Sequence, residues 1–147
     1  MIYIAADHQG FEPKSKIIDY LESAGYEVKD LGNTRYDEKD DYPDYAIPLA
    51  EEVVRDKGSH GIVICGSGTG VTIAANKVLG ARAVYIESER HAEAARADDD
   101  ANILALDAFT FDPEVDFAII EKFVNTPFSE AERHVRRIQK ISDYERK

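Results

Sequence analysis

The stretch that decides the fold covers residues 60–76 and reads His-Gly-Ile-Val-Ile-Cys-Gly-Ser-Gly-Thr-Gly-Val-Thr-Ile-Ala-Ala-Asn. Its β-branched run predicts a buried strand, which passes into three closely spaced glycines and then into a segment with helical character. Successive backbone N–H groups and a helix N-terminus therefore converge on one spot, and that spot will attract negative charge. A strand, a glycine-rich turn and a helix in this order indicate an α/β fold.

Four further short apolar runs predict strands on either side of this unit. They cover residues 2–6, 26–31, 82–86 and 102–106, and the strand within the central stretch covers residues 61–64. Segments with helical periodicity separate the runs, and this alternation argues for parallel βαβ units and a five-stranded sheet. Helices are expected at about residues 11–24, ended by Gly25, at about residues 45–57, and from a Ser88 cap to about residue 97.

The end of the chain predicts one additional helix. Ser129 and Glu132 have the spacing of a capping box, and apolar residues follow them at helical intervals. We expect this apolar stripe to bury against the core. Arg133 and Arg137 lie together on another side of the helix, so they must face water, an anion or another chain. The apolar positions are Val135, Ile138, Ile141 and Tyr144.

Composition limits the class of protein. The chain has 147 residues, 44% of them hydrophobic, which suits a single domain covering residues 1–147. Its net charge of −11 argues against binding to nucleic acid and against adhesion to an anionic membrane. Its one cysteine excludes an internal disulfide and a multi-thiolate metal site. We expect neither a signal peptide nor a membrane span, and therefore a cytoplasmic protein.

Two chemically capable positions are predicted at the same edge of the sheet. Cys65 ends the third strand beside amide donors that favour a thiolate, although an isolated cysteine is more commonly an inert part of a core. Asp7 and His8 end the first strand, where they are either functional or a helix cap beside a surface histidine. If the first and third strands are neighbours, His8 and Cys65 rim one crevice at the topological switch point.

Two loops are the candidate ligand-binding segments. The loop of residues 32–44, which contains Tyr42, is long for an α/β connection and is therefore more plausibly functional than merely connecting. The glycine loop suggests a dinucleotide site, but Gly66, Gly68 and Gly70 form G-x-G-x-G rather than G-x-G-x-x-G. It also follows the third strand and not the first. We therefore expect a different anionic ligand.

A series of separate motifs runs through the chain in a fixed order. They are Ala6-Asp7-His8-Gln9-Gly10, Asp41-Tyr42-Pro43-Asp44-Tyr45-Ala46, Cys65-Gly66-Ser67-Gly68-Thr69-Gly70, Ala75-Asn76-Lys77, Ala101-Asn102-Ile103-Leu104 and the pair Arg133 and Arg137. In these motifs, over essentially its whole length, the chain resembles the ribose-5-phosphate isomerase B family, which includes the galactose-6-phosphate isomerase subunits.

The resemblance implies both an architecture and an activity. It implies a Rossmann-like three-layer α/β/α subunit, with a five-stranded parallel sheet and an extra C-terminal helix, that forms dimers and often tetramers. Each active site would then be built from two chains. The implied reaction is aldose–ketose isomerisation of a phosphorylated sugar through a cis-enediolate, without a metal or an organic cofactor. Ribose 5-phosphate to ribulose 5-phosphate is the default.

The same resemblance implies roles for individual residues. Cys65 is similar to the base that moves the proton between C1 and C2, because the glutamate that some members place in the glycine loop is Val71 here. Asp7 and Tyr42 are similar to groups that hold sugar hydroxyls. The implied enediolate cradle is the amides of Gly66, Ser67, Gly68, Thr69 and Gly70, and the implied phosphate ligands are His8, Arg133 and Arg137.

The chain departs from the family before the fifth strand. Most members have a His-Asn pair there, whose histidine opens the sugar ring and whose asparagine helps to hold the oxygens of the reacting end. Here the two positions are Asp98 and Asp99, followed by Asp100. The family often has glycine where this chain has Asp107, so the local loop shape is expected to differ.

Three accounts of this departure remain open. In the first, Asp98 itself moves the ring-opening proton, because burial and crowding by other carboxylates favour its protonated form, and Asp99 contacts the substrate. In the second, the chain is one subunit of a heteromer whose partner supplies the histidine. In the third, it binds a sugar phosphate with weak or no turnover, or accepts an open-chain substrate. His91 and His134 are expected at the surface or on the phosphate side, and neither replaces the missing acid.

Overall fold

The computed structural model describes all 147 residues and contains a five-stranded sheet in which every paired strand is parallel. The strand order is β2-β1-β3-β5-β4. The strands are β1 (Ile2–Ala6), β2 (Val28–Asp30), β3 (His60–Cys65), β4 (Ala83–Tyr85) and β5 (Ile103–Asp107). All five predicted strands are therefore confirmed, with small differences at their ends.

Six α-helices cover the sheet, and a short 3₁₀ turn (His8–Gly10) precedes the first of them. They are α1 (Phe11–Ser23), α2 (Pro43–Arg55), α3 (Thr69–Ala75), α4 (Glu89–Asp99), α5 (Pro113–Asn125) and α6 (Glu132–Glu145). None of the six helices combines the length and the apolar character that a membrane span requires.

Several predicted helix boundaries follow from the expected capping chemistry. Gly25 has φ +89° just after α1, and the amide of Tyr26 closes the turn on the Leu21 carbonyl at 2.9 Å. Ser88 accepts a hydrogen bond from the His91 amide at the start of α4. Helix α5 was not predicted, although Asp112 caps it and a proline follows at the first helical position.

Two apolar clusters, one on each face of the sheet, make the fold three layers deep. Because side chains alternate along a strand, consecutive residues of β3 enter different clusters. Ile64 belongs to the cluster beneath α1, α4 and α5, and Cys65 belongs to the cluster beneath α2 and α3. The three-layer α/β/α architecture is thereby confirmed.

The adjacency of β1 and β3 positions the candidate site. Ala6 pairs with Ile64 in the sheet register, so the loops that follow both strands leave from the same point. Gly10 allows this close approach, since a Cβ there would lie 2.7 Å from Cγ2 of Ile64. Strands β2 and β3 lie on opposite sides of β1, so the strand order reverses direction at β1. This reversal is the expected topological switch point.

Helix α6 crosses the amino-terminal edge of the sheet. Before it, the Ser129 amide donates to the Ala97 carbonyl near the end of α4, and near its own end Glu145 accepts from the Gly80 amide before β4. The expectation that its apolar stripe buries in the core is wrong for three of its four residues, and the fourth, Ile138, is half-buried. Val135, Ile141 and Tyr144 are 46%, 55% and 75% exposed.

The predicted capping box of α6 is also wrong. The N-cap residue is Ala131, which makes no side-chain cap. The Ser129 hydroxyl instead accepts from the Ala131 amide at 3.2 Å and lies 2.9 Å from Nδ1 of His134. Ser129 therefore fixes a histidine inside the chain, and Glu132 pairs with Arg136 on the exposed side of the helix.

Candidate active site

The glycine loop between β3 and α3 presents free backbone donors. The amides of Gly66, Ser67, Gly68 and Gly70 donate no hydrogen bond within the chain, and the Thr69 amide reaches only the Ser67 hydroxyl, at 3.4 Å. Four N–H groups without an acceptor in one short loop form a donor surface suited to a negatively charged oxygen.

The tight shape of this loop explains its glycines. Gly68 has φ +75°, a left-handed conformation that side chains disfavour. A Cβ on Gly70 would lie 2.6 Å from Cζ of Tyr42, so Tyr42 covers the start of α3. The structure therefore brings Tyr42, from the long loop of residues 32–44, against the glycine loop.

Cys65 lies directly before these amides, at the carboxyl end of β3. It is a free cysteine with 5% of its surface exposed, on the face of the sheet covered by α2 and α3. Its carbonyl accepts from the Ala108 amide at 3.0 Å, which fixes the strand end next to β5. The thiol therefore occupies a water-poor position beside the loop donors.

Asp7 lies at the adjacent strand end. Its amide donates to the Ile64 carbonyl at 3.3 Å, and its carboxylate caps the following turn by accepting from the amides of Gln9 and Gly10. Burial raises the pKa of Asp7, against the lowering effect of these two amides. The helix-cap interpretation of Asp7 is thus correct. Because its amide bonds to Ile64, the residue before Cys65, Asp7 also lies beside the end of β3.

His8 is held by a residue that the sequence analysis missed. Asp40 accepts a hydrogen bond from the His8 amide at 3.1 Å and lies 2.7 Å from His8 Nδ1, while its other oxygen accepts from Asn33 Nδ2 at 3.2 Å. The Asp40 contact raises the pKa of His8 above its ordinary value near 6.5, so the imidazolium form is favoured. In the sequence, the only indication of a functional role for Asp40 was its position in the long acidic loop of residues 32–44.

His8 borders an open cavity of about 640 Å³. Phe11 and Lys16 of the first helix line it, together with Tyr36 and Phe111. Asp40 engages Nδ1, and the other ring nitrogen, Nε2, lies 3.3 Å from Nε2 of Gln9, which lines the same cavity. A cationic imidazole on a cavity wall is suited to an anionic group.

One group of side chains has the composition of a metal site. Asp7, His8 and Asp40 offer ligand atoms that lie within 4.8 Å of one another. The short contact between His8 and Asp40 already uses one ring nitrogen and one carboxylate oxygen. The same three residues also border the edge that carries Cys65 and the glycine loop.

The remaining predicted site residues lie at the opposite, amino-terminal edge of the sheet. Asp98 and Asp99 end α4, and Arg133 and Arg137 lie on α6, which crosses that edge. Both arginines are exposed and form no ion pair or hydrogen bond. One chain therefore does not bring these four residues to Cys65.

Two expectations about the acidic segment need correction. Asp98 was expected to be buried, but its side chain is 51% exposed. His134 is not at the surface but 7% exposed, with Nε2 3.6 Å from an Asp98 oxygen. His91 is exposed as expected. Asp100 has a structural role, because it ends α4 at φ 47° and pairs with two arginines.

Comparison with known proteins gives a consistent result. The family model described as Ribose/Galactose Isomerase matches residues 2–141. Ribose-5-phosphate isomerase B of Mycobacterium tuberculosis (strain ATCC 25618 / H37Rv) is 44% identical over 145 residues, covering 99% of this chain and 90% of that protein. The probable ribose-5-phosphate isomerase B of Mycoplasma pneumoniae is 46% identical, with coverage of 99% and 95%.

Solved structures agree. The crystal structure of ribose-5-phosphate isomerase B from Mycoplasma genitalium, with bound ribulose-5-phosphate, has a TM-score of 0.93 at 41% identity and covers 99% of this chain and 96% of that one. The ribose 5-phosphate isomerase from Thermotoga maritima has a TM-score of 0.91 at 41% identity, with 97% of each chain covered.

Proposed function

This chain belongs to the ribose/galactose isomerase family, and from that premise we propose that it is a sugar-phosphate isomerase that interconverts ribose 5-phosphate and ribulose 5-phosphate without a metal. The observation that carries the proposal is the position of Cys65, a free thiol directly before a loop with four unpaired backbone donors. The ribulose-5-phosphate in the Mycoplasma genitalium structure supports the choice of sugar.

The chemistry follows from this arrangement. A proton next to a carbonyl becomes removable when the charge that develops on the carbonyl oxygen is stabilised, and fixed amide donors do this best where water is scarce. The Cys65 thiolate takes the proton from C2 of the aldose and returns it to C1, through a cis-enediolate whose oxygens face the loop of residues 66–70. General base catalysis of this kind contributes about 10² to 10⁴ in rate.

We propose that two chains complete each site. The edge with Asp7, His8, Tyr42 and Cys65 lacks the arginine pair, while Arg133 and Arg137 lie at the other edge with no partner in their own chain. The exposed apolar stripe of α6 gives this helix a reason to pack on a second copy. A symmetric dimer would place the arginines of one chain at the site of its partner, and a tetramer would contain two such dimers.

The substrate is then held at both ends. Arg133 and Arg137 are one helical turn apart, and together with the His8 imidazolium they supply three cations for the phosphate dianion. Asp7 and Tyr42 are placed to hold hydroxyl groups near the reacting carbons. Because the phosphate end does not react, its binding energy positions C1 and C2 at the thiol.

Asp40→Asn is expected to make phosphate binding depend on pH. Asp40 raises the pKa of His8, so its loss returns the pKa toward 6.5 and leaves His8 neutral at pH 7.5. We expect KM at pH 7.5 to rise about three- to tenfold, the difference between a charged and a neutral donor. The rise should vanish as the pH falls below 6.5, where His8 is protonated in both proteins.

The matched control for this experiment is Asp41→Asn, which removes an exposed carboxylate next to Asp40 in the same loop. It should leave the KM profile unchanged. A KM increase in Asp40→Asn that is equal at every pH would show that Asp40 only supports the loop, and would contradict its role in charging His8.

We propose Asp98 as the ring-opening group and Asp99 as a contact to the oxygens of the reacting end. Asp98→Asn should reduce conversion of ribose 5-phosphate about 10- to 100-fold, at the lower end of general acid–base effects. Exchange of the C1 hydrogen of ribulose 5-phosphate with solvent deuterium needs only the base, because this ketose has no ring to open. That exchange should therefore stay within about twofold of the unmodified protein.

The control is Asp19→Asn, which removes an exposed carboxylate on α1. It should change neither rate. If Asp98→Asn lowers conversion and exchange equally, Asp98 acts on the enediolate step or on binding, and ring opening by Asp98 is excluded. Both rates are measured by NMR on the same sample.

The experiment that tests the proposed function as a whole is incubation of the purified chain with ribose 5-phosphate in the presence of a chelator. Ribulose 5-phosphate should form catalytically. Binding of the aldose without any ketose would contradict the proposal.

A further inference from the structure

We propose that the chain carries a second anion site, for a phosphate-bearing dianion, in a cavity of about 390 Å³ at the amino-terminal edge of the sheet. The cavity lies between the end of α6 and the starts of β3, β4 and β5, far along the strands from Cys65. Four cations line it: Lys57, Arg82, Arg96 and Arg146. Asp100 is the single carboxylate in the lining.

The charge in this cavity is unusual for the chain that contains it. The protein has 29 acidic residues against 18 basic ones, yet here four cations face one carboxylate. Asp100 is already shared by Arg82 and Arg96, at 2.9 Å from each. Lys57 and Arg146 form no ion pair and no hydrogen bond, and Glu145, next to Arg146, accepts instead from the Gly80 amide at 3.3 Å.

The floor of the cavity is formed by a side chain that is fixed in place, and not by mobile side chains at the surface. Arg96 is 8% exposed, and its guanidinium is fixed by the carbonyls of Ala101 and Thr126 as well as by Asp100. Its remaining nitrogen, Nη2, makes no hydrogen bond. A fixed, largely buried guanidinium with a free donor is a preorganised anion ligand, since little entropy is lost when it binds.

The pKa of His60 reflects the same positive charge. Burial, and then the Arg96 guanidinium and the amino terminus, lower the pKa of His60 to about 4. The ring is therefore neutral at pH 7 and adds a polar wall without a charge. Ser142 of α6 adds a hydroxyl group to the opposite wall.

The chemistry of these groups favours a phosphate group over a simple halide. Guanidinium groups bind phosphate oxygens through paired N–H donors, and a dianion would balance the unpaired charges of Lys57 and Arg146. The volume accommodates either inorganic phosphate or the phosphate end of a small metabolite. The shared recognition chemistry is the phosphate dianion.

Binding here has a consequence for the catalytic site. Ser142 lies on α6 and Arg146 caps its end, and the same helix carries Arg133 and Arg137. Arg96 lies on α4 and Arg82 directly precedes β4. An anion that contacts both Arg146 and the pair Arg82 and Arg96 fixes the end of α6 against the rest of the chain. This coupling, which rests on the proposed function, should lower the KM for ribose 5-phosphate, and substrate should in turn tighten the anion site.

Titration calorimetry tests the site with inorganic phosphate and, separately, with ribose 5-phosphate. The starting protein is the Arg133→Gln/Arg137→Gln variant, which removes the proposed catalytic phosphate ligands. We expect saturable binding of one phosphate per chain. Adding Lys57→Gln and Arg146→Gln should weaken it at least about tenfold, because two charge-assisted contacts are lost. Both residues are exposed, so the fold should be unaffected.

The matched control adds Lys140→Gln and Lys147→Gln instead, which removes the same charge from other exposed positions in the C-terminal region. It should leave phosphate affinity within about twofold. Equal affinity in the two quadruple variants, or heats that sodium chloride reproduces at matched ionic strength, would overturn the proposal. Tighter binding of ribose 5-phosphate than of inorganic phosphate would assign the site to a phosphorylated metabolite, and equal binding to free phosphate. Catalytic activity is read separately, so a failed anion site leaves the isomerase proposal testable.

Discussion

Cys65→Ala should lower kcat by about 10³-fold or more while changing substrate affinity by less than about twofold. The thiol is the only basic side chain that the structure places directly before the free amides of residues 66–70. Its removal leaves the donor surface, Asp7, His8 and the phosphate ligands in place. Assays of ribose 5-phosphate conversion that are stopped at fixed times give kcat. Calorimetry with ribose 5-phosphate gives the affinity.

Cys65→Ser is the matched variant, because it keeps the shape of the side chain and replaces the thiol with a far weaker acid. It should be impaired almost as strongly as Cys65→Ala, whereas a packing role for the buried sulfur predicts near-normal turnover in the serine variant. Thermal unfolding of both variants checks that the core is intact. Near-normal turnover in Cys65→Ala would refute the assignment of the base.

Arg137→Ala should raise KM at least about tenfold, and mixing it with Cys65→Ala should raise the activity at low substrate concentration above that of either variant alone. In a dimer with shared sites, one site of each mixed dimer has both an intact Cys65 and an intact Arg137. If chains of the two variants reassociate at random, about a quarter of the normal activity should return at low substrate concentration.

Arg136→Ala is the matched control for this experiment. Arg136 is adjacent on α6 but already pairs with Glu132, so its loss should leave KM unchanged. Native mass spectrometry shows whether mixed dimers form. Mixed dimers without recovered activity would mean that Cys65 and Arg137 act in the same chain or that Arg137 does not reach the site.

The strands were predictable from sequence because both faces of this parallel sheet are buried. Continuous apolar runs such as residues 2–6 and 61–64 are typical of strands that are buried on both faces, and the structure places both inside the sheet, away from its edges. Gly25 and Ser88 were equally informative, since a left-handed C-terminal position and a side-chain cap are local requirements.

The error at α6 has a different origin. The sequence pattern of an amphipathic helix shows that one side is apolar, but it does not show whether that side meets its own core or another molecule. Val135 and Tyr144 follow the pattern and remain exposed in the single chain. For Arg133 and Arg137 the sequence left water, an anion and another chain open, and both side chains are exposed in the single chain.

The contacts of His8 and His134 could not be predicted because they join distant parts of the chain. Asp40 reaches His8 across 32 positions through a long loop without periodicity. His134 is buried by Ser129 and lies near Asp98, a contact that depends on how α6 meets α4. Sequence identified the long loop and the acidic segment as unusual, and only the fold showed which carboxylate meets which imidazole.

The most direct measurement is the fate of hydrogen when the unmodified protein converts ribose 5-phosphate in deuterated water. In the proposed mechanism the Cys65 sulfur carries the proton between two carbons, and its hydrogen exchanges with solvent during the reaction. We therefore expect deuterium at C1 of the ribulose 5-phosphate and at C2 of the recovered aldose, both visible by NMR. Ketose that keeps the original C2 hydrogen quantitatively at C1, or bound sugar phosphate that never yields ketose, would contradict the account.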